Sequence, residues 1–182
     1  GGTLYGSQAV GGVIHIITKK GEGAPTASIS AEGGNGATHR EVVSFSGAHG
    51  IVGFSGSAAY LDTDGFRQFN DGYRHVSTNI RLDVTPIPTG ALRGFVRYSG
   101  VETGLFNNKN YLGVPDPNAR QLSDFVLYKG EWEHALVQNF SYRLAGSYVK
   151  DNQRFFDEPD QFDRFGSGIS RIPVEIKTGE FQ

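Results

Sequence analysis

The chain has 182 residues, a formal net charge of -2, 37% hydrophobic and 20% charged residues, and it contains 26 Gly, 13 Phe, 8 Tyr and 1 Trp but neither Cys nor Met. It is too apolar and aromatic for a disordered polyampholyte, and its glycines lack the Gly-X-Y period of collagen. The near-neutral charge removes the strongly basic signature of a nucleic-acid binder, and the lack of cysteine removes disulfide scaffolds, Cys-zinc sites and thiol catalysis. The first element in chain order is a glycine turn at Gly6, Gly11 and Gly12 that leads into a nearly continuous apolar run, Val13-Ile14-His15-Ile16-Ile17. Such a run reads as a strand buried on both faces, the last core strand of a small globular unit spanning residues 1–20. Gly11-Gly12 permits a bulge or a close backbone approach at its start.

From residue 21 the pattern changes. Helical spacing is hard to find and period-2 alternation recurs, so the reading is all-β. Weaker segments fall at residues 26–34 and 41–48. Val52, Phe54, Gly56, Ala58 and Tyr60 then share a face against Gly53, Ser55, Ser57 and Ala59. Val76, Thr78, Ile80, Leu82 and Val84 stand against Ser77, Asn79, Arg81 and Asp83, and Leu92, Gly94, Val96, Tyr98 and Gly100 against Arg93, Phe95, Arg97 and Ser99. Val126, Tyr128, Gly130 and Trp132 oppose Lys129, Glu131 and Glu133, and Phe140, Tyr142, Leu144, Gly146 and Tyr148 oppose Ser141, Arg143, Ala145 and Ser147. Residues 169–177 are the last candidate, where Pro173 implies an edge strand or a break.

The connections sort by length. Residues 49–50, 86–90 and 135–138 are short, whereas 62–72, 103–122 and 151–166 are long and rich in Asn, Asp, Gly and Pro. Strands of about ten residues with dyad alternation, short turns at one end and long loops at the other are the pattern of an outer-membrane β-barrel. The oily face carries rings near the strand ends (Tyr60, Tyr73, Tyr98, Tyr128, Trp132, Phe140, Tyr142, Tyr148), where interfacial girdles place them. The other face carries Arg81, Asp83, Arg93, Arg97, Lys129, Glu131, Glu133 and Arg143, mixed charges suited to a wet lumen. No stretch approaches the roughly 18 consecutive apolar residues of a membrane-spanning helix.

Residues Leu4, Tyr5, Gly6, Ser7, Ala9, Gly11 and Gly12, continued through Val13, Ile14, Ile16, Thr18 and Lys19, meet every fixed position of LYGS-x-A-x-GGVI-x-I-x-TK. In this the chain resembles TonB-dependent outer-membrane receptors, whose plug domain ends in that form before crossing into the first barrel strand. The resemblance implies an antiparallel transmembrane barrel of about 22 strands whose lumen is filled by a plug. Residues 1–20 would be the end of the plug and residues 21–182 the first seven or eight strands of the barrel, so the chain reads as a fragment. It further implies the outer membrane of a Gram-negative bacterium, active import of a ferric siderophore, cobalamin or haem, and dependence on the TonB complex. Expected partners are that complex, a small nutrient ligand and outer-membrane lipid, with no nucleic acid. Gly-Gly-Val-Ile-x-Ile-Ile-Thr, with residues 83–86, 102–104 and 114–117, is similar to cobalamin receptors.

An importer needs no covalent chemistry, and no GxSxG, HExxH or P-loop is present, so the reading is not an enzyme. The five histidines are scattered, which argues against a zinc or haem site. Asn107, Asn108 and Tyr111 offer hydrogen bonds and stacking to a ligand, or form an ordinary loop tip. Asp157, Glu158, Asp160 and Asp163 are oxygen donors on one loop and candidate Ca2+ ligands, though without EF-hand spacing a solvated polar loop explains them as well. Two other architectures fit the pattern: a small closed outer-membrane barrel of eight strands with a structural or adhesive role, and a secreted β-sandwich binding module.

Overall fold

The computed structural model describes residues 19–67, 70–105, 116–159 and 168–181. They form eight strands: β1 (Thr26–Gly33), β2 (His39–His49), β3 (Val52–Thr63), β4 (Tyr73–Ile87), β5 (Gly90–Gly104), β6 (Arg120–Val137), β7 (Phe140–Asp157) and β8 (Gly168–Phe181). Each pairs antiparallel with the next, giving a single sheet in the order β1 to β8, an up-and-down meander whose two edges are not joined. Among the described residues there is no helix, and so none that is long and apolar enough to cross a membrane.

Every strand expected from the alternation is present, and several run further. β6 begins at Arg120 and β7 continues to Asp157, inside segments whose polarity reads as loop. The reason lies on the oily face. Beyond Tyr128 and Tyr148 the same row of positions carries Asp124, Lys150, Asn152 and Arg154, so the hydrophobic alternation stops while backbone pairing continues through Asp124↔Asn152 and Leu122↔Arg154. At the other end, β4 and β5 absorb most of residues 86–90 and leave a tight turn closed by Ile87↔Gly90. Pro173 does not break β8: it pairs opposite Asn152 in the edge strand, where one side has no partner in the sheet and a missing N–H is tolerated.

Register puts the residues on two faces that hardly mix. Val84, Leu92, Trp132 and Leu144 form one cross-strand row, Ile80, Val96, Tyr128 and Tyr148 another, and between them Gly94, Gly130, Gly146 and Gly179 lie directly opposite one another across four strands. These glycines form a shallow trough bordered by the Tyr128–Tyr148 ring pair, whose centroids are 6.4 Å apart. β8 breaks the pattern, because Lys177 pairs with Tyr148 and Ile176 with Val149, which brings Ile172, Val174 and Ile176 to the charged face.

Among the described residues no hydrophobic core lies under the sheet. Among the described residues Ala119 is the only buried apolar one, while Ile29, Ile80, Leu92 and Tyr128 are exposed. In water this apolar face would require a covering layer, since burial of apolar area is the main favourable term in folding.

The chain reaches β1 from the charged face. The Lys19 carbonyl accepts a hydrogen bond from Ser55 Oγ at 2.6 Å, and Ser55 lies opposite Arg81. Gly21 then passes against the backbone so closely that a Cβ there would overlap the carbonyl oxygens of Phe54 and Gly47. Replacing Gly21 by Ala is therefore expected to displace residues 19–25 and cost about 1 to 3 kcal/mol, as for other forced overpacking. Limited proteolysis near Lys19 and Lys20 checks this: faster cleavage than in the parent protein is the expected result, and unchanged cleavage contradicts it.

Candidate functional site

Two features carry polar chemistry, one on the charged face and one at the far end of the face that is apolar lower down. The first is a cross-strand ion network near the short turns. Arg81 grips Asp83 with two hydrogen bonds, Nε–Oδ2 at 2.6 Å and Nη2–Oδ1 at 2.8 Å, and its guanidinium lies 5.2 Å from the Phe95 ring centroid. Arg93, paired between Asp83 and Glu131, approaches both at 3.8 Å and reaches Glu133 at 2.8 Å. Glu131 Oε1 takes Lys129 Nζ and Arg143 Nη2, each at 2.6 Å. Asp83 and Glu131 are buried beneath these cations. Four cations and three carboxylates thus hold one another across β4 to β7, as the alternation of signs at residues 81, 83, 93, 129, 131, 133 and 143 leads one to expect. Chemically this is a set of mutually neutralised charges held across four strands.

The second feature lies at the long-loop end, where three connections knit together. Asn70, with its backbone at φ 44°, donates through Nδ2 to the carbonyls of Ala119 (2.5 Å) and Asp116 (3.3 Å). Gly104 N donates to Gly72 O at 2.8 Å and Leu105 N to Ala119 O at 3.0 Å. Asp116 Oδ1 accepts from the backbone N–H of Asn118 and Ala119, the Asx turn that an Asp-Pro-Asn sequence favours, and Asn118 Nδ2 donates to the Glu158 carbonyl at 2.8 Å. Beside this knot is a cleft of about 410 Å³ bordered by the ion ladder Asp62–Arg74–Glu102–Arg120, with Tyr73 and Phe156 as its rings.

The buried carboxyls of Asp116 and Asp157 are neighbours at this knot. Burial is the larger cause, with the Asp157 contact in support, and together they push the Asp116 carboxyl above the usual carboxylate range against the opposing pull of its two backbone donors. A raised folded-state value favours the protonated form, so the stability it adds is present below the ordinary carboxylate range and is lost as pH rises through the folded value. Hydrogen exchange at Ala119, corrected for intrinsic chemistry, is therefore expected to quicken as pH rises. Asp116→Asn, which keeps an acceptor oxygen, should flatten that dependence; an unaltered pH profile in the variant would count against Asp116 as the titrating group.

Of the residues singled out from the sequence, Leu4, Tyr5, Gly6, Ser7, Ala9, Gly11 and Gly12 lie outside the described residues, as do Asn107, Asn108, Tyr111, Asp160 and Asp163. Asp157 and Glu158 are described: the Asp157 side chain meets Asp116, and Glu158 enters the knot through its backbone carbonyl. Among the described residues no three His, Asp or Glu side chains gather as metal ligands do. Asn70, Asn118, Arg74 and Arg120 carry no sequence signal that sets them apart. No family model matches the chain, and no solved structure matches it.

Proposed function

We propose that this chain belongs to a TonB-dependent receptor of the outer membrane of a Gram-negative bacterium, which imports a scarce nutrient such as a ferric siderophore, cobalamin or haem. Residues 1–20 close the plug and residues 21–182 supply eight consecutive strands of the barrel wall. The observation that carries the reading is the uncovered apolar face of a single antiparallel meander, with the tight turns 50–51, 88–89 and 138–139 all at one end. Lipid is the cover such a face requires, and further strands of the same barrel satisfy the free edges at β1 and β8, because unpaired backbone groups in hydrocarbon cost several kcal/mol each, about that much per group. The charged face, with its Arg81–Glu131 network, then lines a polar lumen. Two further points support a plug inside it: the LYGS-x-A-x-GGVI-x-I-x-TK match at residues 4–19, and the arrival of Lys19 and Gly21 from the charged face.

The strand number of eight also suits a small closed barrel, yet the sheet order begins at β1 and ends at β8 with no pairing between them. The test is uptake. A strain lacking the gene should lose growth on one of the three nutrient classes when that nutrient is limiting, and regain it only when both the gene and the TonB complex are present. Normal growth of the deletion strain on all three, or partition of the whole protein into an aqueous phase without detergent, would refute the proposal.

A further inference from the structure

On the charged face the cations near the short turns are neutralised, and one at mid-height is not. Arg81, Arg93, Lys129 and Arg143 are each held by Asp83, Glu131 or Glu133. Arg97, midway along β5, is exposed and has no carboxylate partner among the described residues; its guanidinium lies 5.9 Å from the Phe125 ring centroid. β5 lies inside the sheet between β4 and β6, so a free edge does not account for the missing anion. Its neighbours along the strand are Phe95 and Ser99, and its cross-strand partners are Asn79 and Leu127. The diagonal positions Arg81 and Lys129 are themselves cations, already held by Asp83 and Glu131. From Arg97 the same cross-strand row runs through Asn79 to Ser57. Neither the Asn79 amide nor the Ser57 hydroxyl hydrogen-bonds to another described side chain, so three adjacent strands present uncommitted donors in one row. Lys19 joins them, bordering with Ser57, Asn79 and Arg97 a concavity of about 440 Å³. Lys20 pairs with Glu22 at 3.4 Å, whereas Lys19 is exposed and has no carboxylate among the described residues.

We infer that Arg97 and Lys19, with Asn79 and Ser57, form a binding site for the carboxylate or phosphate group of a small molecule. A guanidinium offers two parallel N–H donors matched to two oxygens of such a group, and the Phe125 ring beside it limits where the fork points. The Asn79 amide and Ser57 hydroxyl supply neutral donors, and the Lys19 ammonium adds a second charge. Cations gathered in a concavity also raise the local concentration of anions. The occupant is a small molecule rather than an acid of the adjoining chain. Residues 1–21, which run into the concavity at Lys19, contain no Asp or Glu and bring cations instead. The volume, too, falls in the range of small-molecule sites, about 300 to 1,000 Å³. In the receptor proposed above this face lines the lumen, which makes the site a contact for an acidic nutrient on its way through; that placement rests on the receptor reading, whereas the binding itself does not.

The test treats the full-length protein in neutral detergent with phenylglyoxal, which modifies accessible guanidiniums, and follows each arginine by mass spectrometry of its peptides. Arg97 should be modified readily. Succinate or inorganic phosphate should slow that modification several-fold, and whichever acts at the lower concentration identifies the preferred group; succinamide, which has the shape of succinate without its charge, should not slow it. Lys19→Gln should raise the anion concentration needed for half protection about two- to fivefold, the size of one exposed charge contact. Arg40, on the same face but paired with Glu32, should respond to neither anion. An Arg97 that resists modification in the ligand-free protein would mean that an acid of the protein already occupies it, and overturns the inference. So does modification that neither anion slows, or that succinamide slows equally. A half-protection point that Lys19→Gln leaves unmoved overturns the two-cation site. A protein that stays in water without detergent refutes the receptor reading instead, and the protection of Arg97 then still decides whether the anion site exists.

Discussion

Ile80→Lys in the whole protein is expected to lower the free energy of unfolding from lipid vesicles by about 2 to 4 kcal/mol, whereas Ser77→Lys should change it by about 0.5 kcal/mol or less. The two sites belong to the same strand, β4, and lie three residues apart, so propensity and hairpin register are shared. What differs is the face. Ile80 is paired with Gly56 and Val96 in the middle of the apolar rows and is exposed. If that face meets lipid as proposed, a lysine there must desolvate its ammonium in hydrocarbon or distort the bilayer to reach water. Ser77 is paired with Ala59 and Ser99 on the charged face, close to His75 and Asn79, where an ammonium stays hydrated. Denaturant titration of both variants in the same vesicles checks the contrast. Equal costs at the two sites would mean that β4 has two similar environments, and would remove the basis for a lipid-facing side.

That contrast also shows what the sequence displays and what it hides. Alternation at residues 52–60, 76–84, 92–100, 126–134 and 140–148 is the direct imprint of a sheet with unlike faces, because side chains on a strand point to opposite sides in turn. The faces of these five strands were legible from it, and β1, β2 and β8 were legible as weaker segments without an assigned face. The upper halves of β6 and β7 were not. There Asp124, Asn152 and Arg154 stand on the side that is oily lower down, and polar residues on both faces look like loop, since only the backbone ladder distinguishes the two. The face switch of Ile172, Val174 and Ile176 was hidden for a related reason: alternation reveals that faces differ but not which one a given strand presents, and only pairing with Val149 and Tyr148 settles it. The charge network was readable as a set of residues, while its hub was not. Seven alternating charges give no sign that Glu131 Oε1 receives two cations, because Arg143 comes from the next strand. Nor does the sequence show that Asn70 closes the loop knot, a role created by three segments far apart in the chain.

Glu131 is accordingly the charged-face position where a small change should matter most. Its carboxyl is buried, with Lys129 and Arg143 both at 2.6 Å and Arg93 at 3.8 Å. Glu131→Gln keeps the shape but leaves those cations without their common anion. A fully buried pair broken on one side costs about 3 to 5 kcal/mol; here the cations keep about a third of their side-chain surface in water, and a cost of about 2 kcal/mol is expected. Glu133→Gln is the matched comparison. It removes one of the two carboxylates that Arg93 Nη1 reaches, at 2.8 Å, but its side chain is 48% exposed, so the loss should stay within about 1 kcal/mol. Salt separates them further, since screening weakens the exposed pair more than the buried one. Unfolding midpoints of both variants at low and high ionic strength are the measurement. If Glu133→Gln proves as costly as Glu131→Gln, or if salt erases both effects alike, the network is a set of independent surface pairs. Its hub would then contribute nothing particular to the stability of the sheet.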